Sequence, residues 1–441
     1  MSQNKRRRSA RRGKPAPKRP AETVVISKIA QQGDGEGQLA DATRVFVPLT
    51  LPGDKILVQP GAKRGDGLAG SVLEWIERQP RKEPICDVFG TCGGCQLQHV
   101  PEADYRNWKS DAVRTALARH GFSFDIEPLR QVPLDARRRA TLSLVMTADG
   151  PVLGFNGAYS DRVVGMDGCP LLDPTLSRLW GPVRDFCVQV FKAPMRADIR
   201  ITAAAPGSIE IVVAADQELD LAKREAIAEF SEAHDIARFC WKNAGAAPEP
   251  VVQRRPVLLS IAKAEIELPV GGFLQPSAEG EATLQELVMA GVAEARKVAD
   301  LYCGIGTFSF VLASAGKHVL AIDDNAGQIA ALDQAAGRAG LGGHIQTEVR
   351  DLKSSPLEAG AFAEMDAVVF DPPRAGAKSQ AECLADSDAG TIVAVSCNPA
   401  TLARDLRILV DGGYRIESLT PVDQFPMSYH VEAVCVLRRA G

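Results

Sequence analysis

From about Gly271 to the C-terminus the chain alternates short β-branched runs with helical segments, and this alternation restricts the fold more than any other feature. Strands are predicted over 298–302, 318–323, 344–349, 365–370 and 391–397, with helices near 308–316, 326–340, 378–386 and 401–410. A parallel strand connection needs a crossover long enough to hold a helix, so this rhythm builds a doubly wound sheet. Two further strands, 415–420 and 431–438, have no helix between them and predict a closing antiparallel hairpin. The expected fold class is α/β, with a Rossmann-like domain over 271–441.

The run DLYCGIGTFSF at 300–310 leaves one of these strands and opens a helix. Gly304 and Gly306 allow a ligand close to the backbone, with a helix N-terminus beyond. The third glycine of a dinucleotide fingerprint is missing, which argues against a dinucleotide. Asp323 ends the following strand, where an acid can accept hydrogen bonds from ribose hydroxyls. An adenosine-type cofactor is expected.

Cys397 closes a predicted strand, with the strand-end run DPPR at 371–374 upstream and His430-Val431-Glu432 downstream. A thiol beside a cofactor pocket, with an acid available as base, suits nucleophilic catalysis on an electron-poor carbon. A lone strand-end cysteine is more often structural, and Glu432 alone would read as a solvated acid. The surrounding motifs reverse both readings. His430 is the alternative base. The DPPR run also has the look of the amino-group methyltransferase signature, but Arg374 replaces its aromatic residue, and a cysteine stands at 397.

Five runs, DLYCGIGTFSF at 300–310, GGFLQPS at 271–277, VVFDPPRAG at 368–376, SCNPATLARD at 396–405 and DQFPMSYHVEAV at 423–434, together resemble the RNA uridine 5-methyltransferases. That resemblance implies a class I methyltransferase fold, S-adenosylmethionine as methyl donor, and a uridine in RNA as substrate. It also implies that Gln275, Tyr302, Asp323 and Asp371 line the cofactor site, with Asp351 near the adenine. The family usually carries Glu where this chain has Asp323. Cys397 corresponds to the nucleophile and Glu432 to the base. Carbon 5 of uracil is a poor nucleophile until a thiolate adds to carbon 6, so this chemistry needs one cysteine and one general base. The target base must leave its stack to react, and Phe425 and Tyr429 are candidates to stack on it, although core packing is their commoner role.

Ten cysteines show no extracellular disulfide spacing. Cys86, Cys92, Cys95 and the distant Cys169 supply four thiolates for one centre. One C-x-x-C with two outlying cysteines fits an iron–sulfur site better than zinc, with zinc or no metal as alternatives. The run CDVFGTCGGCQLQH at 86–99 resembles the cluster-binding branch of the same methyltransferases, which implies a 4Fe-4S cluster of structural role. The three-cysteine spacing of radical S-adenosylmethionine enzymes is absent.

Residues 1–20 carry nine Lys/Arg and no acid, against a net charge of −4 for the whole chain. Such a segment is expected to be a disordered basic tail, an arm for a polyanion or a mere solubilising extension. Residues 21–78 read as short strands between glycine turns, a small β-barrel resembling the TRAM/OB-like RNA-binding domains. Residues 79–270 read as a mixed α+β central domain holding the cluster. No apolar run approaches the ~18 residues of a membrane span, so a soluble, cytoplasmic monomer is expected. The sequence reading is a 23S ribosomal RNA uracil-5 methyltransferase. The alternatives are a transfer-RNA uridine 5-methyltransferase and an inactive iron–sulfur RNA-binding protein.

Overall fold

A computed structural model describes residues 19–440, so nearly all of the expected basic tail lies outside the described residues. The chain divides between Arg81 and Lys82 into two compact units.

In the first unit six strands form one sheet, in the order Glu22–Val25, Lys55–Arg64, Gly67–Glu77, Arg44–Val47, Gly35–Gln38, Lys28–Ile29. Val24, Ile26, Val45, Val47, Ile56 and Val58 are its buried core. Strong curling brings the first strand over the fifth. A Cβ on Gly37 would lie 2.3 Å from Val24 Cγ1, and one on Gly35 2.0 Å from Thr50 Oγ1. Only glycine permits that approach. The sheet curls as a barrel would, yet no ladder pairs its first strand with its last.

The second unit contains two large sheets. One has seven strands, ordered Val163–Gly165, Gly150–Asn156, Arg139–Thr147, Met195–Ala203, Ile209–Ala215, Arg238–Lys242, Glu249–Gln253. Its one parallel pair, Ile209–Ala215 with Arg238–Lys242, is joined by the helix Leu221–Ala233. That helix and Trp180–Val190 contribute Ile227, Phe230, Val183 and Phe186 to the core on this sheet.

The eight-stranded sheet runs Ile345–Val349, His318–Asp323, Lys297–Leu301, Ala367–Phe370, Thr391–Ser396, Glu432–Arg439, Tyr414–Asp423, Arg130–Gln131. Its first five strands are parallel, and Glu432–Arg439 is antiparallel to both of its neighbours. Side chains alternate between faces, as the two-residue period of a strand demands. Val298, Val369, Val393, Val434 and Val436 meet Leu284, Val288, Phe310 and Leu332 on one face. Ala299, Phe370, Ile392, Ala394 and Leu437 meet Val113, Leu117, Leu384, Leu402 and Leu406 on the other. Helices on both faces make this the expected doubly wound sheet with a terminal hairpin.

Two features depart from the sequence reading. Helix Glu102–Ala118 and strand Arg130–Gln131, both within the expected central domain, pack on the eight-stranded sheet. The helix after Cys397 begins at Pro399 rather than Thr401, because Asn398 Oδ1 caps Ala400 N at 3.2 Å and proline suits the first helical turn.

Polar ties join the sheets within this unit. Glu210 holds Arg238 in a buried pair at 2.6 Å and accepts from Gly271 N at 3.1 Å. Arg138 pairs with buried Glu281 at 2.7 Å and donates to Gln275 O at 3.0 Å. Arg139 donates to Leu274 O at 2.7 Å. The GGFLQPS segment is thereby fixed from the seven-stranded sheet.

Candidate functional site

The strand order reverses between Lys297–Leu301 and Ala367–Phe370, whose next residues are Tyr302 and Asp371. In open α/β sheets ligands bind outside the carboxyl ends of the strands at this switch point. Cys303 N donates to Ile322 O at 3.0 Å, which pulls the glycine loop against the neighbouring strand. Tyr302, Gly304 and Gly306 all have positive φ, of 61°, 57° and 94°. The strain at Tyr302 is the non-glycine part of that turn. Asp323 Oδ2 accepts from Gly304 N at 3.0 Å, and Oδ1 from Asn325 N at 2.9 Å. Both oxygens serve the loop's backbone first. Each carboxylate oxygen keeps a further acceptor position for a ligand hydroxyl.

Gln275 Nε2 donates to Asp371 Oδ2 at 3.1 Å, so the GGFLQPS and DPPR motifs meet. Gln424 Nε2 reaches Gln275 Oε1 at 3.4 Å, while Gln424 Oε1 is buried without a partner. Asn398 Nδ2 and Thr401 Oγ1 donate to Arg374 O at 3.0 and 3.3 Å, locking the DPPR turn to the turn that follows Cys397.

Ser396 pairs with Ala433 across the antiparallel ladder, which sets Cys397 opposite Glu432 at the sheet end. Burial, with the carboxylates of Glu432 and Asp371 nearby, pushes the Cys397 thiol up to about 12, and Arg374 opposes this. Burial raises both Glu432 and Asp371; the Asp371 carboxylate adds to this at Glu432, which lies well above the usual carboxylate range, while the Gln275 hydrogen bond opposes it at Asp371. His430 is held down to about 4 by burial, then by Arg374, Lys109 and Arg137. Its Nδ1 lies 3.4 Å from Arg374 Nη2, and a neutral ring can accept that hydrogen bond. The rings of Phe425 and Tyr429 flank His430, with centroids 5.5 and 4.2 Å away. Asp351, by contrast, is exposed and caps its own turn through Lys353 N at 2.9 Å.

Asp300 is buried beneath the glycine loop and accepts from Ser309 Oγ at 2.5 Å. Burial pushes its carboxyl up to about 7. An acid raised on folding favours the native state while protonated, so its contribution is complete below about pH 4 and fades as the pH rises through 7. Asp300→Asn is therefore expected to gain on the wild type in urea midpoint as the pH increases from 5 to 8. Parallel curves for the two proteins would refute this.

The four cluster candidates share one neighbourhood without forming a compact centre. Burial raises the Cys92, Cys95 and Cys169 thiols, Cys95 to about 12, and they and Cys86 act on one another electrostatically. All four are free thiols. Among the described residues no group of three or more His, Cys, Asp or Glu stands ready to hold a metal ion. Cys86–Cys95 is folded by its own backbone bonds, such as Cys92 N to Val88 O at 2.9 Å, and Cys169 arrives on a separate loop.

Sequence reasoning missed Tyr105, Lys109 and Asp423, which lie behind the site. Lys109 Nζ is 2.7 Å from Asp423 Oδ1, and both residues are fully buried. Tyr105 OH donates to Asp423 Oδ2 and accepts from Met427 N at 3.0 Å. The available signal was a lysine four residues after a tyrosine on a helix, which puts both on one face.

The family described as tRNA (Uracil-5-)-methyltransferase matches residues 346–440, and that described as tellurite resistance protein TehB matches 281–370. An uncharacterized RNA methyltransferase of Brucella suis is 37% identical over 418 residues, covering 94% of this chain and 97% of its own length. The 23S rRNA (uracil(1939)-C(5))-methyltransferase RlmD of Chromohalobacter salexigens is 33% identical, covering 95% of this chain and 90% of its own. The structure of Pyrococcus abyssi tRNA (uracil-54, C5)-methyltransferase with S-adenosyl-L-homocysteine has the same fold, with a TM-score of 0.73 at 23% identity, covering 94% of this chain and 99% of that one. Among the described residues no helix is long and apolar enough to cross a membrane. The chain belongs to the RNA uracil-5 methyltransferases.

Proposed function

We propose that this enzyme methylates carbon 5 of a uridine in 23S ribosomal RNA, in the cytoplasm and as a monomer, with Cys397 as nucleophile and Glu432 as general base. The observation that carries the reading is the ladder register that sets Cys397 opposite Glu432, beside the Gln275–Asp371 pair. S-adenosylmethionine suits the switch point: Gly304 and Gly306 form its turn at positive φ, Asp323 keeps spare acceptor capacity, and Asp371 offers a carboxylate beside Gln275. Tyr302, Asp323, Gln275 and Asp371 would hold it, and when bound it supplies an electrophilic methyl group.

The remaining chemistry belongs to this chain. The Cys397 thiol gives its proton to solvent water, the thiolate adds to carbon 6 of uracil, and the resulting enolate carries nucleophilic character to carbon 5. After methylation, Glu432 takes the carbon 5 proton, the carbon–sulfur bond breaks, and the thiolate leaves. His430, neutral at working pH, orients Arg374 near the base.

Cys86, Cys92, Cys95 and Cys169 suit a 4Fe-4S cluster as structural ligands. A four-iron cube holds its ligand sulfurs farther apart than one ion does, and the four thiols lie near enough to act on one another electrostatically. Anaerobically purified protein is expected to hold about four iron atoms per chain, and Cys92→Ser to lose iron and solubility before chemistry. Stoichiometric zinc without iron would overturn this. The 21–78 sheet, as a TRAM-like unit, and the basic tail would contact RNA phosphates, giving salt-sensitive binding.

The deciding experiment maps 5-methyluridine by mass spectrometry in ribosomal and transfer RNA from a deletion strain. Loss of one or more 23S sites supports the proposal. Loss confined to transfer RNA moves the enzyme to the other substrate, and no loss removes the function.

A further inference from the structure

The loop 424–431 joins strand Tyr414–Asp423 to strand Glu432–Arg439, and so delivers Glu432 to the site. Its own internal bonds are few. Phe425 O accepts from Ser428 N at 3.2 Å, and Ser428 Oγ accepts from His430 N at 3.2 Å. Helix Glu102–Ala118 supplies the stronger ties. The Lys109 ammonium donates to Phe425 O at 3.2 Å and His430 O at 2.5 Å, one on each limb of the loop, and to Asp423 Oδ1 at 2.7 Å. An ammonium has three protons, and each is used. Tyr105 OH takes Met427 N at the loop's tip, where φ is +63°. Met427 O accepts in turn from Gln96 N and Leu97 N at 2.9 and 3.0 Å.

Burying a lysine costs several kcal/mol before its partners offset it. An apolar residue would fill the space more cheaply, but it could not tie two carbonyls of opposite limbs to one point. His430 O lies two residues before Glu432.

We infer that Lys109, backed by Tyr105, is a positioning residue of the methyl-transfer site: it fixes loop 424–431 so that Glu432 stands opposite Cys397 when the carbon 5 proton leaves. The inference rests on Glu432 as base. Lys109 touches neither substrate nor cofactor, so its loss slows the step Glu432 performs while cofactor binding continues.

The test uses full-length Lys109→Met and Tyr105→Phe, with Glu432→Gln as reference. Lys109→Met is expected to lower kcat on the order of 10^2-fold, the scale of a roughly 1 Å misplacement, with KM for S-adenosylmethionine unchanged. A methylated protein–RNA adduct should accumulate, as in Glu432→Gln, and hydrogen exchange should quicken at 425–431 but not in Thr391–Ser396. Tyr105→Phe keeps the ring and loses one hydroxyl. It should move every readout the same way by less, and it decides the matter if Lys109→Met does not fold. An unchanged kcat, or a lower kcat with loop exchange at the wild-type rate, overturns the inference. An adduct in Glu432→Gln but not in Lys109→Met overturns it while leaving the base assignment standing. If Glu432→Gln forms no adduct, the base assignment fails. The inference then falls with it, since Lys109 was to position Glu432 for that proton transfer.

Discussion

Replacing Cys397 with alanine is expected to reduce methylation on the order of 10^4-fold or more, the scale of losing a covalent nucleophile, while S-adenosylmethionine still binds. The two effects separate because different elements carry them. The proposed cofactor contacts lie on the glycine turn after Lys297–Leu301, on Asp323, and on the Gln275–Asp371 pair. Cys397 lies two strands farther along the sheet, at the end of Thr391–Ser396. Alanine removes the sulfur and keeps the backbone, so Asn398 still caps the next helix and still holds Arg374 O. The free enzyme keeps this thiol protonated, pushed up to about 12 by burial and two carboxylates. Wild-type Cys397 should accordingly be alkylated slowly near neutrality and faster toward alkaline pH, since the thiolate is the reactive form. Isothermal titration with the cofactor and tritium transfer to RNA measure the two sides. Turnover by Cys397→Ala at a sizeable fraction of the wild-type rate would end the covalent mechanism.

The parts of this molecule legible in its sequence are those written in local pattern. Strand–helix alternation after Gly271 gave the doubly wound sheet, and glycines 304 and 306 marked the turn, since few other residues tolerate their φ. Cys397 and Glu432 were legible as motif residues, but their apposition was not. It depends on which strand pairs with which, and the ladder brings 396 to 433 across a sequence gap that no window spans. Asn398–Pro399 carries a capping signal two residues ahead of the start expected at Thr401. Lys109 was illegible for a different reason. It lies on a helix that also buries Tyr105 and Ser110, so polar residues occupy the inward face and periodicity reads them as solvated. Asp323 was legible as an acid at a strand end, but its first duty, bonding Gly304 N, belongs to backbone geometry that sequence does not display.

Glu432→Gln is expected to stop the reaction late, with a methylated RNA covalently attached to Cys397. If Glu432 removes the carbon 5 proton, glutamine leaves addition and methyl transfer possible but cannot accept that proton. The carbon–sulfur bond then has no route to break, and a slow band appears in a denaturing gel. The site's electrostatics favour this order. Burial and Asp371 raise Glu432 well above the usual range, so a neutral amide resembles its protonated resting form; the carboxylate that accepts the carbon 5 proton forms when that proton passes to solvent, and the substitution removes this acceptor. His430, held down to about 4, stays neutral under the same conditions and has the wrong basicity to replace a raised carboxylate efficiently. Cys397→Ala must show no band, and the double variant must behave like Cys397→Ala, because without sulfur nothing holds the RNA. Release of methylated RNA by Glu432→Gln at the wild-type rate, with no adduct, would place the base elsewhere and make His430 the first residue to replace.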